Sequence, residues 1–115
     1  MGSNRIEGER MRMRITIGES DTFQDTPLHE ALVEFLRGEE MLGVTVLRGI
    51  GGYGSSSRDL TGNILEQSKD TPIVIEVVEY PERIERILPK LDKYMAGGVV
   101  TLEKIRTVLY SSSGW

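Results

Sequence analysis

The segment MRMRITI alternates strictly, with Met11, Met13, Ile15 and Ile17 on one face and Arg12, Arg14 and Thr16 on the other. A period of two over this length is the pattern of a strand with one buried face, so the rest of the chain must supply a layer to cover it. Two helical stripes meet that demand. Thr26 and Pro27 offer an N-cap and a first helical residue with preset φ, and Leu28, Ala31, Leu32, Phe35 and Leu36 then recur at helical spacing toward a stop at Gly43. Pro81 opens the second helix, with Glu82 and Glu85 at its positive dipole end and Ile84, Ile87, Leu88 and Leu91 as its stripe. Pro89 lies inside that stripe and predicts a kink or an early break, and Gly97 and Gly98 end the helix.

Three further strands read from GVTVLRGI, PIVIEVVEY and LEKIRTVLY, which are rich in β-branched residues and bounded by glycine or proline. The order strand, helix, strand, strand, helix, strand is that of an α+β, ferredoxin-like βαββαβ domain with both helices on one face of an antiparallel sheet. Its other face also carries apolar residues: Leu47 opposes Val46, Val74 and Val78 oppose Ile75 and Val77, and Val108 opposes Leu109. A sheet wetted on one side would alternate more cleanly, so this face is expected to be buried against other subunits.

One domain accounts for the chain of 115 residues, of which 38% are hydrophobic and 28% charged. The domain is expected over residues 11–110, with 1–10 a disordered arm or expression remnant and 111–115 a flexible tail. A net charge of −4 leaves no cationic excess for a phosphate backbone, so nucleic acid is not an expected partner. No stretch approaches the roughly 20 apolar residues of a membrane span, which predicts a cytoplasmic protein without membrane insertion. Cysteine is absent and His29 is the only histidine, so neither a thiolate nucleophile nor a His/Cys metal cluster can be assembled.

Between the second and third strands, a segment rich in Gly and Ser runs from Gly51 to Thr71, far longer than a hairpin loop of about 2–5 residues. Gly49, Gly51 and Gly54 satisfy G-x-G-x-x-G after a strand, but no amphipathic helix follows to receive a pyrophosphate. A glycine hinge and an anion-binding nest, which includes Gly52, stay open as readings. Ser55, Ser56, Ser57 and Arg58 add hydroxyls and one guanidinium suited to a phosphate. Arg48 and Glu76 are charges set within the apolar runs of two strands; pairing Ile50 near Ile73 would set them almost opposite, as a salt bridge or as a ligand-contacting arginine held by its glutamate. No nucleophile beside a base and no paired carboxylates of fixed spacing occur, which speaks against an enzyme.

IGESD, PLHEALVEFLR, GVTVLRGIGGYGSSS, SKDTPIVIEVVE and GGVVTLEKI, in this order and spacing, closely resemble the short, uncharacterised PII-like proteins of bacteria and archaea. Thr16 and His29 depart from the aromatic residue and the tyrosine often found at those positions. The resemblance implies a homotrimer whose sheets line a central core, with an adenine nucleotide (AMP, ADP or ATP) as effector in clefts between subunits and no required cofactor. It implies an effector arm from about Gly51 to Asp70 and phosphate contacts from the turn Gly97–Gly98. Relatives encoded beside fluoride channels make a membrane transporter the regulated target it suggests. The expected function is thus a signalling protein, with a ligand-free structural oligomer and a small-molecule enzyme at the subunit interface as the alternatives.

Overall fold

The computed structural model describes residues 5–52 and 71–110. Four strands form one antiparallel sheet: β1 (Arg5–Gly18), β4 (Val44–Arg48), β5 (Pro72–Glu79) and β6 (Val99–Tyr110), in the order β4-β5-β1-β6. The helix α1 (Leu28–Gly38) carries the chain from β1 across β5 to β4, and α2 (Pro81–Ile87) carries it from β5 across β1 to β6. This is the ferredoxin-like arrangement that the segment order predicts.

The alternation of β1 sets the core. Met11, Met13, Ile15 and Ile17 are buried with Ile73, Ile75 and Val77 of β5, beneath Leu28, Leu32 and Leu36 of α1 and Ile84, Ile87 and Leu91 behind them. Each such side chain contributes about 1.5–3 kcal/mol by leaving water, which makes this layer the main stabilising term. Pro89 acts as expected. Lacking an N–H to donate to the carbonyl of Glu85, it ends the α-helix at Ile87, and Leu88–Lys93 continues as a 3₁₀ helix that still buries Leu91.

Three local differences from the sequence reading have identifiable causes. Residues 5–10, expected as an arm outside the domain, form the first part of β1 and pair with β6 from Arg5 opposite Tyr110 onward. Apolar alternation missed them because charge ties this stretch down: Glu7 meets Arg106 at 2.7 Å and Arg5 at 3.0 Å. The polar stretch before α1 contains a small hairpin, β2 (Thr22–Phe23) with β3 (Thr26–Pro27), turned by Gln24 and Asp25 at φ 49° and 65°. It carries Phe23 onto Tyr94 at 4.6 Å between ring centres, and Tyr94 onto Phe35 at 5.1 Å. Finally, α1 stops at Gly38, earlier than Gly43, because Glu40 turns the chain at φ 60°.

The face of the sheet away from the helices is mixed. Register sets Arg12 opposite Glu103 and Arg14 opposite Glu76, and both pairs close as ion pairs, the second at 2.7 Å. By strand parity, Leu47, Val74, Val78, Ile105 and Leu109 share that face with this row of arginines. The apolar residues expected there are present, but a stripe of paired charges runs between them.

Candidate functional site

The strand ends that matter most are gathered at one end of the sheet. There β4 finishes at Arg48, β5 begins at Pro72, β1 finishes at Gly18 and β6 begins at Val99. The β5 end of the long β4–β5 connection and the glycine turn before β6 therefore flank the last residues of β1, and the β4 end lies one strand further out.

Arg48 is exposed at the end of β4, directly opposite Ile73. Its guanidinium donates to Glu19 Oε2 at 2.5 Å. The expected partner, Glu76, is not near it: the register pairs Thr45 with Glu76, two residues from the alignment that set Ile50 near Ile73, and parity then directs Arg48 and Glu76 to opposite faces. Glu76 is held by Arg14 instead. Glu19 was the residue that sequence reasoning missed. It lies 29 positions from Arg48, and only the crossing of α1 brings them together.

Glu19 also reaches the far end of the connection. Its backbone N–H donates to the Thr71 carbonyl at 2.9 Å, and its Oε1 accepts the Thr71 hydroxyl at 2.7 Å. Beside this cluster the Gly49 N–H donates to the Pro72 carbonyl at 2.7 Å. A Cβ at position 49 would lie 2.6 Å from Pro72 Cγ, so the close approach of the two strand ends requires glycine. Gly51 and Gly52 follow at the base of the connection, while Gly54, Ser55, Ser56, Ser57 and Arg58 lie outside the described residues.

On the other side of β1, Gly97 and Gly98 form an exposed turn between the 3₁₀ helix and β6. Gly98 has φ +91°, and a Cβ there would meet the Thr16 carbonyl oxygen at 2.6 Å. The turn thus sits directly against the end of β1. Below it a hollow of about 470 Å³ is lined by Leu88, Leu91, Met95 and Val100, with Asp92 as its acidic member. The arrangement offers one exposed guanidinium, a glycine turn that brings backbone close to a ligand, and an apolar recess, a set suited to holding an anion with an apolar part. Among the described residues, no group of three or more His, Cys, Asp or Glu could hold a metal ion.

Comparison with known proteins adds three findings. The model of the family DUF190, described as Uncharacterized ACR, matches residues 10–107. Two UPF0166 proteins are similar in sequence. The one from Aquifex aeolicus is 28% identical over 84% of this chain and 90% of its own length. The one from Methanocaldococcus jannaschii is 34% identical over 69% of this chain and 72% of its own. Among solved structures, CPII of Thiomonas intermedia K12 bound to ADP and bicarbonate superposes with a TM-score of 0.65, covering 89% of this chain and 91% of that one at 16% identity. At that identity the likeness is one of fold.

Proposed function

The chain belongs to the DUF190 (UPF0166) family, and from that footing we propose that it is a PII-like regulator that takes an adenine nucleotide at the end of the sheet described above. The carrying observation is that Arg48, the base of the β4–β5 connection and the Gly97–Gly98 turn lie at the same end of the sheet, Arg48 reaching Glu19 just past β1 and Gly98 lying against Thr16. In this reading the glycine turn and Arg48 receive the phosphates and the apolar recess takes part of the nucleoside. The fold shared with CPII, bound to ADP and bicarbonate in its structure, supports an adenine nucleotide as a ligand.

The assembly is a homotrimer with the mixed sheet face turned inward, which would cover Leu47, Val74, Val78, Ile105 and Leu109. Signalling passes through the β4–β5 connection, from about Gly51 to Asp70, where Ser55, Ser56, Ser57 and Arg58 stand as further ligand contacts. Ordering or release of such a segment by a ligand is a known mode of switching. A membrane transporter, such as a fluoride channel, is the proposed target. The regulator itself has no helix, among the described residues, long and apolar enough to cross a membrane. Calorimetric titration with AMP, ADP, ATP and cyclic nucleotides tests the reading: saturable heat with at least one is expected, and none at millimolar ligand would remove its support.

A further inference from the structure

The Glu19 carboxylate bridges Arg48 and Thr71, and the two links differ in kind. The bond to Thr71 is doubled by the backbone bond from the Glu19 N–H to the Thr71 carbonyl, and Thr71 is buried, 7% exposed. The link to Arg48 is a single ion pair whose side chains are 63% and 33% exposed. Exposed pairs of this sort shift an equilibrium by no more than about fivefold, because water already screens and solvates both groups. The Arg48 link is therefore the one that yields to a competing anion, while Glu19 stays fixed to the start of β5.

Resting on the nucleotide reading above, we infer that Glu19 is the internal rival of the ligand's phosphate for Arg48. With no ligand bound, its carboxylate occupies the guanidinium and ties the end of β4 to the end of β1. A phosphate carries more charge and more acceptor oxygens than a carboxylate, and its approach draws Arg48 away. Glu19 keeps Thr71 and the Gly49 N–H keeps the Pro72 carbonyl, so the exchange changes the partner of the Arg48 side chain while both strand ends stay paired. Glu19 is in this sense a positioning and specificity-determining residue: it sets the ligand concentration at which Arg48 changes partner.

The test is ADP binding by calorimetry to the full-length wild type, Glu19→Gln, Arg48→Ala and the double variant. Glu19→Gln removes the rival charge and keeps a side-chain acceptor for Thr71, so ADP should bind about two- to fivefold tighter. In the Arg48→Ala background the same change should give no gain. A wild type that binds while Glu19→Gln binds equally or more weakly, or a gain that persists without Arg48, overturns the inference and leaves the nucleotide reading intact. A wild type that gives no heat overturns the nucleotide reading instead. The hold on Arg48 is then judged separately, by the rate of tryptic cleavage after Arg48 without ligand, followed by mass: Glu19→Gln should be cut faster, and equal rates refute the hold.

Discussion

Glu79 is fully buried, and its Oε2 accepts the backbone N–H of Leu42 at 3.0 Å across the α1–β4 turn. Its Oε1 accepts the Tyr80 N–H at 2.9 Å, and Arg83 stands 3.6 Å away. One carboxylate on the core face of β5 thus fastens the chain entering β4 to the chain entering α2. Glu79→Ala removes a fully buried carboxylate that accepts two part-buried backbone N–H groups, and should lower stability by about 1–3 kcal/mol, measured by urea denaturation at fixed protein concentration. Glu79→Gln keeps one carbonyl acceptor and should lose less. An alanine variant within about 0.5 kcal/mol of wild type would show that water or rearrangement serves these donors equally well.

Arg48→Ala should leave the fold within about 0.5 kcal/mol of wild type, because the pair it breaks is exposed. The sequence reading, with Glu76 as partner at the base of the connection, implied a real loss of stability on this substitution. Ile15→Ala is the reference for a change that matters, expected to cost about 2–5 kcal/mol at a fully buried site. Denaturation midpoints separate the two cases, and a comparable loss in both would mean that Arg48 is part of the stable framework.

Gly98→Ala should destabilise by about 1–3 kcal/mol, since φ +91° is strained for an L-residue and the new Cβ meets backbone at Thr16 rather than a movable side chain. Gly38→Ala is the matched control. It lies at the end of α1 with nothing within 4 Å of the added Cβ, and should be neutral or stabilising by up to about 1 kcal/mol. Thermal melts that rank the two the other way would contradict the turn geometry.

Static light scattering should find a closed assembly, a trimer in the proposed reading, at micromolar concentration. Leu47 and Ile6 are each 50% exposed in the single chain, and β1 runs past the end of β5 as a two-stranded ribbon with β6. Ribbons of that kind are marginal in water without further cover. A stable monomer would remove the inter-subunit cleft from the functional reading.

The architecture was legible wherever one short-range pattern decided the outcome. Met11 to Ile17 declared their buried face by alternation, Leu28, Leu32 and Leu36 theirs by helical spacing, and Pro89 the break that follows Ile87. What depends on long-range register was not legible. The Arg48–Glu19 pair and the displacement of Glu76 to Arg14 follow from how α1 returns the chain to the sheet edge, which residue identities alone do not specify. The first part of β1 was missed for a related reason: its partners are the charges of a strand about a hundred residues away. Of the candidate site, Arg48, Gly49, Gly97 and Gly98 do lie at one end of the sheet, while Glu19, the carboxylate that links both ends of the connection, was not singled out.

The pairing of Arg5 with Tyr110 has a practical side. Sequence added before the one or after the other leaves the molecule from a single corner, at the opposite end of β1 from Gly18 and the base of the long connection. At about 3.3 Å per residue, β1 places that corner roughly 43 Å from Gly18. A fluorophore attached there and a second one at Ile50 would be separated by the length of β1 rather than by linker, so a change in transfer between them would report relative movement of the two ends of the sheet.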